Sequence, residues 1–295
     1  MSQNKFSGTG VAIVTPFKKD KSIDYPALEK HIEFLIQNGI NYLVILGTTG
    51  ESVTQSDNEK SELTKFIISK VNNRLPLVLG IGGNNTSAII EKVSKTDLSK
   101  IDAVLSVTPY YNKPSQQGLY EHYKSIAEVS PKPVILYNVP GRTGVNMKAE
   151  TTLRLAHDVK NIIAVKEASG DFTQAMYLVK DKPEDFMIIS GEDALTLPLI
   201  ALGFSGVISV VANAMPKEFS QMVQLALVHN ITEAQKLHYK LLEFTEQLFI
   251  EGNPAGVKAA LSSLGIIENN LRLPLVSVSE KTNHKIGELI KKIKS

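Results

Sequence analysis

Residues 162–170 read Ile162-Ile163-Ala164-Val165-Lys166-Glu167-Ala168-Ser169-Gly170. Four apolar residues, three of them β-branched, run without a polar break, then stop at charged and small residues. Such a run fits a strand buried on both faces, because an exposed face would show alternation. Seven other stretches have the same form: Val11–Val14, Tyr42–Leu46, Leu77–Ile81, Ala103–Val107, Val134–Tyr137, Phe186–Ile189 and Val207–Val211. Their starts lie roughly 20 to 35 residues apart, the length of a strand plus a crossover helix. The segments between them carry helical patterns. Tyr25–Gln37 places Leu28, Ile32, Leu35 and Ile36 on one face, with Pro26 near the start and Gly39 after the end. Asn58–Val71 and Gly118–Val129 read the same way. Eight such units predict a (β/α)8 TIM barrel. An open doubly wound sheet is the competing architecture. It is weakened because Gly8-Thr9-Gly10 precedes the first strand and no GxGxxG follows it.

After the eighth run the pattern changes. Glu218–Val228, Glu233–Ile250, Ala255–Leu264 and Glu280–Ile293 all read as helices with no strand between them. The expected organisation is therefore a barrel over residues 1–229 and a helical C-terminal extension over 230–295. The extension is too small for a comfortable core of its own and should pack on the barrel or on another subunit.

Composition narrows the chemistry. The 295 residues include no cysteine, which excludes disulfides, thiolate metal sites, iron–sulfur clusters and a cysteine nucleophile. The 32 basic and 30 acidic side chains leave a charge of +2, so there is no electrostatic case for nucleic acid or an anionic membrane. No apolar run is long enough to span a bilayer, and Met1–Phe6 lacks the apolar stretch of a signal peptide, so a cytoplasmic location is expected. The six histidines show no HExxH and no clustering at strand ends, and no metal site is expected.

In a parallel barrel the chemistry sits at the carboxyl ends of the strands. Lys166 occupies such an end, with the inward parity of Ala164 and Ile162. Burial disfavours the charged form of an amine, and a free amine can attack a carbonyl to form an imine. The structural alternative is a lysine snorkelling to solvent. Tyr137 ends the preceding strand and could move protons, or could cap the core with its hydroxyl in water. Thr48 and Thr49, in Gly47-Thr48-Thr49-Gly50-Glu51, could form a small anion nest or simply close a tight turn. Arg142, in Pro140-Gly141-Arg142-Thr143-Gly144, suits bidentate capture of a carboxylate; the structural alternative is a solvated surface residue. Tyr110-Tyr111 puts two aromatics in one loop, which suggests a ligand or a partner subunit. Glu192-Asp193 can be read as a metal carboxylate pair, but an acidic first helical turn is simpler.

Taken together, Gly47-Thr48-Thr49-Gly50-Glu51, Tyr137-Asn138-Val139-Pro140 with Arg142-Thr143-Gly144, and Val165-Lys166-Glu167-Ala168 resemble the dihydrodipicolinate synthase group of pyruvate-dependent class I aldolases. The likeness runs from about Gly8 to Leu275 in order and spacing. The resemblance implies a lyase of diaminopimelate and lysine biosynthesis that condenses pyruvate with L-aspartate 4-semialdehyde through a lysine Schiff base. On this resemblance Lys166 forms the imine, and Tyr137 shuttles protons with Thr48 and with Tyr111 of the adjoining subunit. Thr48 and Thr49 hold the pyruvate carboxylate, Arg142 holds that of the semialdehyde, and Gly191 and Ile208 shape the pyruvate pocket. No metal, nucleotide or flavin is implied as cofactor. A homodimer at least is implied, with a homotetramer open. N-acetylneuraminate lyase, a relative with the same barrel and lysine, is the alternative activity; Arg142 and the second threonine favour the synthase. A barrel that has lost catalysis and acts as a regulator is the remaining alternative. One departure concerns the group's inhibitory lysine pocket. Ser52, Asn84 and Tyr110 match it, but its acidic position is Ala88 and two basic positions are Asp57 and Lys60. A buried ammonium without a carboxylate partner is costly, so weak or absent lysine inhibition is expected.

Overall fold

The computed structural model describes residues 5–295; residues 1–4, most of the polar N-terminal segment noted above, lie outside them. Strands and helices alternate: β1 (Gly8–Ala12), α1 (Tyr25–Gln37), β2 (Tyr42–Ile45), α2 (Asp57–Val71), β3 (Leu77–Gly80), α3 (Thr86–Lys95), β4 (Ala103–Val107), α4 (Gln116–Val129) and β5 (Val134–Asn138). The chain continues through α5 (Pro140–Thr143), α6 (Ala149–Asp158), β6 (Ile162–Glu167), α7 (Phe172–Asp181), β7 (Met187–Ser190), α8 (Thr196–Leu202), β8 (Gly206–Ser209) and α9 (Pro216–Leu227). The strands follow chain order in a closed parallel barrel, with Gly8 of β1 paired to Gly206 of β8. The fold is therefore the (β/α)8 TIM barrel, and the open sheet is excluded.

Strand residues alternate between two apolar layers, as the period of two requires. Val44, Val78, Leu105, Ile135 and Ile189 fill the barrel interior. Leu43, Leu79, Val104, Leu136 and Ile188 face the helices. Local chemistry sets where the helices start. Asp24, Asn85, Ser115 and Asp171 each accept a backbone N–H in the first turn of their helix, and Ser56 with Glu59 forms a capping box on α2.

Two expectations are corrected. β1 starts at Gly8, not Val11, and includes the Gly-Thr-Gly stretch. A Cβ on Gly10 would lie 2.2 Å from the Tyr42 ring, so the glycine is a strand residue that makes room for a buried aromatic. Second, Ile162 does not share the inward side of Ala164 and Lys166. Val134 pairs with Ile162 but Ile135 pairs with Ala164, so an extra residue in β6 turns Ile162 toward the helices.

Three helices follow the barrel: α10 (Ile231–Phe249), α11 (Ala255–Ser263) and α12 (Glu280–Lys294). Their buried residues Leu241, Phe244, Leu248, Val257, Leu261, Ile286, Leu289 and Ile290 join the apolar layer outside the strands. Among the described residues no helix is long and apolar enough to cross a membrane.

Candidate active site

A cavity of about 740 Å3 opens at the carboxyl ends of the strands. Lys166 lies at its base, 6% exposed, on the last turn of β6 before Glu167. Its register partners are Tyr137 on β5 and Ile189 on β7, with Ala164 and Ile135 in the layer beneath. Its Nζ stands 4.3 Å from the centre of the Tyr137 ring. The next residue, Glu167, points the other way, as strand alternation demands. Its carboxylate accepts hydrogen bonds from Asn138 Nδ2 (3.1 Å), Ser169 N (2.7 Å) and Gln174 Nε2 (3.0 Å). Burial raises the Glu167 pKa, against these bonds. The network ties the end of β6 to β5 and to the first turn of α7, which fixes the backbone that carries Lys166.

Gly191 follows β7. A Cβ there would meet Ala168 Cβ at 2.6 Å and Lys166 Cε at 3.0 Å, so only glycine leaves the lysine its space. Thr48 and Thr49 form a short turn in which the N–H groups of Gly50 and Glu51 bond back to Gly47 and Thr48. The amides of Thr48 and Thr49 lie at its open N-terminal end. Thr48 is exposed and Thr49 is buried, and both line the cavity. Arg142 lines it from α5, exposed at the rim.

The structure thus brings Lys166, Tyr137, Thr48, Thr49, Arg142 and Gly191 to one cavity. It does not bring Tyr111 there: that side chain is 89% exposed, on a left-handed residue with φ 74°, and is not in the lining of its own chain's cavity. Ile208 is not in the lining either; it is buried in the barrel interior, in the same layer as Tyr137. No hydrogen bond joins Tyr137 to Thr48 among the described residues.

Three features were not expected from the sequence. Asn253, between α10 and α11, donates from Nδ2 to Thr49 Oγ1 at 3.0 Å, and its carbonyl lies 3.5 Å from Arg142 Nη2. Behind the threonine turn, Lys258 of α11 and Glu51 form an ion pair with both side chains fully buried. Lys258 also donates to Asn270 O at 2.9 Å and sits 4.2 Å from the centre of the Phe17 ring. Burial outweighs the pull of Glu51 and lowers the Lys258 pKa to about 8. Third, the Glu192-Asp193 pair divides. Asp193 is buried and takes hydrogen bonds from Ser209 Oγ (2.5 Å) and Val210 N (2.9 Å), while Glu192 lines the cavity. Asn253 and Lys258 carry no local signal beyond an Asn-Pro turn, because each acts on a residue about two hundred positions away in the chain. Among the described residues no group of three His, Asp or Glu could hold a metal ion.

A closed barrel with its polar cavity at the strands' carboxyl ends is the arrangement of TIM-barrel proteins that place their chemistry on the βα loops. Within that class the chain belongs to the Dihydrodipicolinate synthetase family, whose model matches residues 5–293. It is 56% identical over 288 residues to the 4-hydroxy-tetrahydrodipicolinate synthase of Flavobacterium psychrophilum, covering 98% of each chain. The dihydrodipicolinate synthase of Thermotoga maritima superimposes with a TM-score of 0.96 at 41% identity, covering 99% of each chain. The chloride-inhibited dihydrodipicolinate synthase of Acinetobacter baumannii, solved in complex with pyruvate, gives 0.94 at 41% identity over 98% of this chain and 99% of that one.

Proposed function

We propose that this protein is a lyase that condenses pyruvate with L-aspartate 4-semialdehyde through a Schiff base, the 4-hydroxy-tetrahydrodipicolinate synthase reaction for which its close relatives are named. The observation that carries the reading is a buried lysine at the base of the barrel's cavity, beside Tyr137 and below a rim arginine. Lys166 Nζ adds to the pyruvate carbonyl and water leaves, giving the imine. A methyl proton is then lost to form the enamine, with Tyr137 and Thr48 moving protons. The enamine carbon attacks the aldehyde. The substrate's own amine closes the ring onto the imine carbon, and Lys166 leaves as the free amine.

Thr48 and Thr49 receive the pyruvate carboxylate, Arg142 the semialdehyde carboxylate, and Gly191 keeps the space open beside Lys166. Ile208 supports this pocket from the barrel interior, behind its lining. Tyr111 is highly exposed and outside the lining of its own cavity, which suits a residue that completes the site of an adjoining subunit. The smallest complete unit in this reading is a homodimer, acting in the cytoplasm. The barrel of residues 1–229 carries the reaction, and the helices of 230–295 brace its mouth. The activity is tested by pyruvate consumption with two acceptors. Turnover with L-aspartate 4-semialdehyde and little with N-acetylmannosamine is expected; preference for the amino sugar would move the assignment to the lyase.

A further inference from the structure

Five charged side chains line the cavity: Lys60, Lys92, Arg142, Lys166 and Glu192. Lys60 and Lys92 already pair with Asp57, at 3.6 and 3.2 Å. There remain the reacting amine of Lys166, one further cation, Arg142, and one carboxylate, Glu192. The backbone that carries that carboxylate is held in place. Glu192 N–H donates to Ser190 Oγ (3.2 Å), and its carbonyl accepts from Ser190 Oγ (3.1 Å) and Thr196 Oγ1 (2.9 Å). Its neighbour Asp193 is spent on Ser209 and Val210, inside the wall. The Glu192 carboxylate feels Lys166 and Arg142 across the cavity but hydrogen bonds to neither. Among the described residues this carboxylate has no hydrogen-bonded or ion-paired partner, and it comes directly after the glycine that opens the space beside Lys166.

The aldehyde substrate proposed above carries three groups. Its carboxylate goes to Arg142 and its aldehyde must meet the enamine on Lys166. Its ammonium would lie near the Arg142 guanidinium, which repels it unless a carboxylate receives it. We infer that Glu192 receives the α-ammonium of the aldehyde substrate and so selects an acceptor that bears an amine. The inference rests on the functional reading above. Arg142 and Glu192 then act as a charge-complementary pair across the cavity, which reads the zwitterion as a unit. Burial raises the Glu192 pKa, and a bound cation would favour its charged form.

The test compares two acceptors, L-aspartate 4-semialdehyde and 4-oxobutanoate, which has the same aldehyde and carboxylate but no amine, so that water in place of the amine must add to the imine carbon and release Lys166. Steady-state constants are measured for the native enzyme and for Glu192→Gln and Glu192→Asp. In Glu192→Gln, KM for the amino-bearing acceptor should rise roughly ten- to a hundredfold, the loss of one charge-assisted contact. The constants for 4-oxobutanoate, the KM for pyruvate and the borohydride-trapped pyruvate adduct should stay at native levels. Glu192→Asp should restore part of the preference. An unchanged preference in Glu192→Gln, or an equal loss for both acceptors, would overturn the inference while leaving the reaction assigned. A native enzyme that neither traps pyruvate nor turns over the semialdehyde would overturn the functional reading and this inference with it.

Discussion

At the scale of residues, volume and charge are set together around Lys166. Gly191 is the clearest case, because its missing side chain is what admits the lysine's Cε. Gly191→Ala forces either Ala168 or Lys166 to shift, at a cost of about 1–3 kcal/mol for an overpacked site. The pyruvate KM of this variant should rise at least about tenfold, and an unaltered KM would show that the space is not needed. Lys166 itself was readable in the sequence as the polar end of an apolar strand. Its inward side was predicted correctly for a partly wrong reason, since Ile162 faces outward across a bulge that no propensity announces. Glu192 and Asp193 were visible as a pair, but which one faces the cavity depends on the loop after β8 that captures Asp193.

At the scale of elements, α11 and the loop before it are joined to the threonine turn at two points, Asn253 on Thr49 and Lys258 on Glu51. Lys258→Met should leave the buried Glu51 carboxylate without its cation, held only by the Arg272 N–H at 3.1 Å, and lower stability by about 3–5 kcal/mol, read as a fall in the denaturant midpoint. Adding Glu51→Gln should recover part of the loss. A change under about 1 kcal/mol in the single variant would mean that water reaches Glu51. Periodicity located most helices within one or two residues, because capping and apolar spacing are local signals. The brace from α11 was not legible, because it joins residues far apart in the chain.

At the scale of the whole molecule, stability should depend on acid through two histidines. His31 is fully buried and His122 nearly so, and burial lowers both pKa values to about 4. An unfolded histidine titrates near 6.5, so between about pH 6.5 and 4 the unfolded chain binds more protons than the folded one. Stability is therefore complete above that window and is lost as pH falls through it, by up to about 3 kcal/mol per histidine. Melting temperatures should drop from pH 7 to 4, and less steeply in His122→Gln; a flat native profile would contradict the burial argument.

The assembly makes a second prediction at this scale. If Tyr111 serves a neighbouring site, Tyr111→Phe and Lys166→Ala proteins that are each impaired should regain activity when unfolded and refolded together. Random pairing would return about a quarter of the native rate, since half the dimers are mixed and each holds one intact site. No recovery would place Tyr111 outside the reaction or within its own subunit. The barrel was legible in the sequence because eight apolar runs recur at the spacing of βα units. The role proposed for Tyr111 came from the resemblance and not from the pattern, because a partner's cavity leaves no mark on the periodicity of this chain.

The central claim is that Lys166 forms a covalent imine with pyruvate. It is tested most directly by borohydride reduction in the presence of pyruvate, followed by mass spectrometry of the peptides. The native protein should carry one reduced pyruvyl adduct on Lys166, and Lys166→Ala should carry none. A native protein without an adduct, or with the adduct on another lysine such as Lys258, would contradict the account.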